Sequence, residues 1–179
     1  RNGGVLGRPV ELVVVDGESE PDVVHTRTAE LLRQHPTTTG VVGLSDTDMV
    51  LAAAPVAASD ERVFLTSGAT SPLLPAQVPQ WLFLACFGDN VQAAAAAEWI
   101  FTTRGARTAS IAYSTSDDYT RLLQKYFATR FEQLGGRIVS SVGYDPATVD
   151  AASLAGLASA DVIFLSAQPG DAVAVTALL

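Results

Sequence analysis

The sequence predicts an α/β fold: two Rossmann-like lobes, each built on a parallel sheet. Three observations predict it. Short β-rich runs alternate with helix-period stretches along all 179 residues, the pattern of βαβ units. The first of these runs, Val10–Val15, is nearly all apolar, as expected for a strand covered on both faces. The alternation also stops near Phe87-Gly88 and restarts, which assigns residues 1–87 to one lobe and 88–179 to the other.

Val10–Val15 is the first expected strand. Pro21 and Asp22 open a helix with Val24, Thr28, Leu31 and Leu32 on one side, ended by His35-Pro36. Gly40–Leu44 is the next strand. Ser45-Asp46-Thr47-Asp48 then leads into an alanine-rich helix, Met49–Ser59, where Pro55 predicts a kink. Arg62–Thr66 is a strand followed by the turn-rich segment Ser67-Gly68-Ala69-Thr70-Ser71-Pro72. Trp81–Phe87 is extended, and Gly88-Asp89-Asn90 caps a helix that reaches Arg104 and stops at Gly105.

In the second half, Thr108–Tyr113 is a strand. Asp118–Leu134 is an amphipathic helix, with Tyr119, Leu122, Leu123, Tyr126, Phe127 and Phe131 at helical spacing. After Gly135-Gly136 come a strand at Arg137–Tyr144, a short helix at Ser153–Leu157, a strand at Asp161–Ser166 and a last helix from near Gly170. The chain opens on Arg1-Asn2-Gly3-Gly4, which reads as mid-loop, and ends within that last helix. An incomplete copy of a larger protein is therefore expected.

Composition narrows the function. Hydrophobic residues make up 48% and charged residues 17%, a globular balance. The formal net charge of −8, with Lys125 the one lysine, argues against a nucleic-acid partner, because phosphate contacts need clustered Lys and Arg. No stretch approaches the ~20 apolar residues of a membrane span. Cys86 is the one cysteine; it sits in an apolar run, where a thiol behaves as a small buried hydrophobe.

Catalytic and metal motifs are missing from the sequence. It contains no G-x-x-x-x-G-K-[ST] loop, G-x-S-x-G elbow, H-E-x-x-H or C-x-x-C. Gly3-Gly4-Val5-Leu6-Gly7 precedes the first strand rather than following one, unlike a dinucleotide fingerprint. His25 falls on a surface helix, and His35 at its end favours the helix dipole. Ser67, His35 and Asp46 make only a paper triad. The expectation is no enzyme, no cofactor and no metal.

The polar loops carry more information. In an open parallel sheet, ligands bind beyond the carboxyl ends of the strands, at helix N-termini. Ser45–Asp48 and Ser67–Ser71 occupy that place and are rich in hydroxyls, so they can hold a small polar solute. The alternative reading is that Thr47 or Asp48 caps its helix and 67–72 is an ordinary turn.

These residues resemble the branched-chain amino-acid and amide binding proteins of ABC importers, a periplasmic binding protein type I family. The match runs through Gly3–Leu12, Val41-Val42-Gly43, Ala52–Ala57, Ser67–Pro72, Gly135-Gly136 and Asp161–Leu165, in order. The resemblance implies a two-lobed clamp that closes on a solute. It places a carboxylate-binding hydroxyl and N–H at Thr47, beside Asp46. Gly68, Ala69 and Thr70 would supply a carbonyl, a hydroxyl and an N–H, and Tyr119 would face them from the second lobe. Gln168 stands where an aromatic is expected. That departure, and the aspartates on both sides of Thr47, disfavour a plain aliphatic amino acid, since a carboxylate beside a carboxylate site is unfavourable. The family's first strand and helix, and everything after Leu179, are absent from this chain.

The resemblance thus implies an extracytoplasmic receptor that takes a small solute, such as an amino acid, and delivers it to a membrane permease. A sensing ectodomain with the same fold is the nearest rival, and an α/β enzyme is a more distant one.

Overall fold

The structure, a computed structural model, describes residues 4–179; Arg1, Asn2 and Gly3 lie outside the described residues. The first sheet holds β1 (Gly40–Val42), β2 (Val63–Thr66) and β3 (Leu82–Leu84), parallel and in that order. Val41 pairs with Phe64, and Leu65 with Phe83. Strand β2 alternates: Phe64 and Thr66 are fully buried, whereas Val63 and Leu65 stay exposed. The buried face is covered by α1 (Pro21–Gln34), α2 (Thr47–Ser59) and the short α3 (Leu74–Gln77). Val24 and Leu32 of α1 and Val50, Ala53, Ala54 and Ala57 of α2 close over Phe64 and Leu82. Small alanines let α2 approach the sheet closely, and Pro55 is accommodated inside an unbroken helix.

The expected strand at Val10–Val15 is not formed. Residues 9–17 have no regular structure, and Leu12 and Val14 are 74% and 88% exposed. The physical reason is pairing. An apolar run favours extended backbone, but a strand exists only where a neighbouring edge accepts its ladder, and β1 pairs with β2 alone. Val13 and Val15 instead flank a hollow of about 330 Å³ against α1, lined also by Leu31 and His35. Just upstream, Val5 and Arg8 exchange two backbone bonds around Leu6 and Gly7, both at positive φ. Gly4 is required there, because a Cβ would lie 1.7 Å from the Arg8 carbonyl oxygen.

The second sheet is parallel too, with β4 (Thr108–Ser114) between β5 (Arg137–Tyr144) and β6 (Val162–Ser166). Here both faces are covered. Ala109 and Ile111 pack under α4 (Asp89–Thr102) and α5 (Asp118–Gln133), against Ala93, Ala97, Leu123, Phe127 and Phe131. Phe127 stacks on Phe164 at 3.9 Å between centroids and on Phe131 at 5.6 Å. On the other face, Ala112 meets Tyr144, Leu154 and Val175 of α6 (Pro169–Thr176).

Ser153–Leu157, expected as a short helix, is a run of turns followed by irregular chain. The Ser153 hydroxyl and N–H both donate to the Asp150 carboxylate at 2.7 and 2.8 Å, a local alternative to helical bonding. The last helix stops at Thr176 rather than running to the final residue.

Candidate functional site

A cleft of about 260 Å³ opens at the carboxyl ends of the strands, lined by Ser19, Asp46, Thr47, Asp48, Met49, Asp117, Asp118, Tyr119 and Gln168. Its walls are the starts of three helices: α2 beyond the first sheet, and α5 and α6 beyond the second. Helix N-termini present unpaired N–H groups and partial positive charge, so this is where a polar solute finds donors.

Each wall is held by the strand below it. The Gly43 N–H donates to Leu65 at 3.1 Å, and the Thr66 hydroxyl donates to the Leu44 carbonyl at 2.8 Å, which anchors the loop leading into α2. Asp46 is the N-cap of α2 by backbone only; no side chain caps this helix, so the capping alternative for Thr47 or Asp48 is not realised. At the opposite wall, the Asp117 carboxylate accepts from the Thr120 N–H at 2.9 Å and caps α5. The Thr120 hydroxyl donates to the Ser114 carbonyl at 2.8 Å, and the Ser166 hydroxyl donates to the Thr120 carbonyl at 2.8 Å. The turn bearing Tyr119 is thereby tied to the ends of both β4 and β6.

Of the residues singled out in the sequence, Asp46, Thr47, Tyr119 and Gln168 line this cleft together. Gly68, Ala69 and Thr70 lie in the adjoining loop and are not among its lining. Gly68 packs on Ser45, where a Cβ would come within 2.7 Å of the serine Cβ. The Ala69 N–H donates to Thr66 Oγ1 at 3.0 Å, and the Ala69 carbonyl accepts the Cys86 thiol at 3.4 Å. The Thr70 carbonyl accepts the Asp89 N–H at 2.8 Å. The paper triad does not assemble: His35 borders the hollow beside α1, Asp46 borders the cleft, and Ser67 borders neither.

The electrostatics are acidic. Burial pushes the Asp48 carboxyl up from its ordinary range, and Asp118, Asp117 and Asp46 push it the same way, with Arg121 opposing. Arg121 is ion-paired with Asp118 and also donates to the Thr115 carbonyl at 2.9 Å. Burial raises the Tyr119 phenol, as do the charges of Asp89 and Asp117, with Gln92 opposing. Asp117 and Asp118 immediately precede Tyr119, so their place in the cleft was readable from the sequence. Ser19 and Met49 carried no such signal, since both depend on how loops converge. Among the described residues, no group of three His, Cys, Asp or Glu side chains converges as metal ligands would, and no helix is long and apolar enough to cross a membrane.

This architecture has many solved counterparts. A leucine binding protein from Thermotoga maritima MSB8 is 27% identical, with a TM-score of 0.71 over 85% of this chain and 43% of its own. An ABC transporter substrate-binding protein from Desulfitobacterium hafniense, solved in complex with Leu, shares the fold at TM-score 0.81 and 21% identity, over 97% of this chain and 52% of its own. A solute binding protein of an ABC transporter from Rhodopseudomonas palustris BisB5, in complex with 3,4-dihydroxy benzoic acid, shares it at TM-score 0.73 and 21% identity, over 89% and 44%. The chain thus spans about half the length of these proteins. Each of them is described as a binding protein and none as an enzyme. No curated protein gives a match. The family model for "Periplasmic binding protein" aligns with residues 1–178, and with that the chain, an α/β protein on two parallel sheets, belongs to the periplasmic binding protein family.

Proposed function

We propose that the protein is the extracytoplasmic receptor of an ABC importer, and that residues 1–87 and 88–179 belong to the two lobes of a clamp that closes on a small polar solute. The observation that carries this reading is the cleft itself. It takes one wall from the start of α2, beyond the first sheet, and the other from the starts of α5 and α6, beyond the second. A solute held there touches helix starts beyond both sheets at once, which is what makes closure depend on ligand. Thr47 offers a hydroxyl and an N–H at one helix start, Tyr119 a ring and a phenol at the other, and Gln168 an amide at the third. Gly68, Ala69 and Thr70 complete the first wall once the solute reaches the adjoining loop. The loaded receptor would then dock on a membrane permease.

Native mass spectrometry of the intact protein, purified from its own host without denaturation, tests the reading. The expected result is a retained small molecule that is lost on mild unfolding. Thr47→Ala and Tyr119→Ala should each weaken its rebinding by about tenfold or more, the scale of one hydrogen bond to a charged group. A protein that retains nothing and turns over one of a panel of amino acids, amides and aromatic acids would replace this reading with the enzyme.

A further inference from the structure

We propose that Ser19 is a specificity-determining residue of the cleft, whose hydroxyl meets a hydrogen-bonding substituent of the solute and discriminates against an apolar isostere. The inference rests on the receptor reading above and adds a contact from outside the helix starts. Ser19 lines the cleft together with the starts of α2, α5 and α6. It belongs to none of them: it lies in a turn, two residues before α1. No hydrogen bond among the described residues uses its hydroxyl, although the backbone around it is well bonded.

The turn is built against local preference. Glu18 and Ser19 both take positive φ, 56° and 57°, and the Glu20 N–H donates to the Gly17 carbonyl around them at 3.1 Å. A type I′ turn has this pattern, and its two central places favour Asn-Gly or Gly-Gly. A Cβ at either place carries a backbone cost that glycine escapes. The conformation is fixed from its flanks. The Glu18 N–H donates to the Asp16 carboxylate at 2.8 Å, and the Glu18 carboxylate is ion-paired with Arg27 of α1. Gly17 lies so close to α1 that a Cβ there would meet Val24 Cγ2 at 2.5 Å. An exposed ion pair returns little, so the left-handed pair is kept at a local cost. Strain of this kind gathers where a side chain must stand at one place beside a ligand, and here it sets residue 19 at the cleft. A hydroxyl can donate once and accept twice, so it answers an amide or another hydroxyl. An apolar group in the same place would leave it dry and unpartnered, which is how a hydrogen-bonding site rejects an isostere.

Calorimetry on the intact protein, stripped of retained solute, compares solutes that differ in their hydrogen-bonding substituents: L-threonine with L-valine, L-asparagine with L-leucine, and 3,4-dihydroxybenzoate with benzoate. In at least one pair the hydrogen-bonding member should bind at least about fivefold more tightly. That ratio should fall towards one in both Ser19→Ala and Ser19→Gly, which lack the hydroxyl. Only Ser19→Gly, which also relieves the turn, should raise the thermal midpoint. Thr47→Ala should weaken both members alike and leave the ratio as it was, since all six solutes carry the carboxylate that the resemblance seats at Thr47. No preference in any pair overturns the inference and leaves the receptor reading standing. A ratio that persists in folded Ser19→Ala overturns the contact at Ser19, whether or not Ser19→Gly lowers it. Failure of all six solutes to bind overturns the inference, and the receptor reading falls with it if mass spectrometry also finds no retained solute.

Discussion

The two sheets share a strand count and a parallel topology, yet they are finished to different degrees. In the second, β4 is buried along nearly its whole length, between two helices on one face and the Leu154–Val175 cluster on the other. In the first, helices cover only the Phe64 face; Val42 and Phe83 on the remaining strands are 62% and 49% exposed, and Val63 and Leu65 are exposed as well. The run Val10–Val15, which by composition is as good a strand as any, pairs with nothing. Strand propensity is therefore a preference awaiting a surface, and cover and ladder partners decide whether it is realised. The chain spans about half the length of the binding proteins it resembles in structure, and the less finished sheet is where further cover would matter most.

Hydrogen exchange should show this contrast most strongly. Amides of β4 are expected to exchange at least about a thousandfold more slowly than those of β1, because local opening ranges from near zero to the global stability. Comparable protection in the two strands would break the comparison. Urea melts sharpen it next. Phe127→Ala, which empties the space between Phe131 and Phe164, should cost about 3–5 kcal/mol. Leu65→Thr on the bare face should stay within about 0.5 kcal/mol.

Smaller effects come from single polar atoms. The Tyr144 hydroxyl is buried without a partner, and its phenol is pushed up to about 12, by burial first and then by Asp171 and Asp117. Tyr144→Phe should therefore be neutral or stabilising, by up to about 1 kcal/mol in a denaturant melt. The pH dependence separates two aspartates with opposite signs. Asp161 accepts from the Arg107 and Thr108 N–H groups at 2.8 and 2.9 Å, which lowers its carboxyl below the ordinary value of 3.8. Its contribution is complete above that value and is lost as pH falls through the lowered one. Asp89 is raised instead, so its ionised form costs stability near neutrality, and the cost is relieved as pH falls through its raised value towards 3.8. Melting temperatures from pH 7 to 3 should show Asp161→Asn with a shallower acid-side loss. Asp89→Asn should show a gain at pH 7 that fades towards acid.

Much of this was legible in the residues. Helix boundaries set by Pro21-Asp22, Gly105 and Gly135-Gly136 fall within a few residues of those found, because caps and breakers act locally. The second-half strands were legible for the same reason. What failed is what depends on distant chain: Val10–Val15 lacks an edge to pair with, and Ser153–Leu157 gives up helical bonds to Asp150. At the site, the polar loop ahead of α2 pointed to Asp46 and Thr47, and the family resemblance pointed to Tyr119 and Gln168; each sits at or near a helix start beyond a strand. The burial of Asp89 was not legible. Its position reads as an ordinary helix opening, and its removal from water depends on residues outside its own helix, among them Thr70, whose carbonyl accepts its N–H.

Thr66 has a consequence of another kind. Its hydroxyl is fully buried; it donates to the Leu44 carbonyl at 2.8 Å and accepts from the N–H groups of Ala69 at 3.0 Å and Gly68 at 3.4 Å. One proton and two lone pairs are all that a hydroxyl possesses, and all are committed. The loop before α2 and the loop at Gly68–Thr70 are therefore joined through one oxygen, besides the bonds each makes elsewhere. Removing that one oxygen, as in Thr66→Val, would leave three backbone groups in two separate loops without their partner at once.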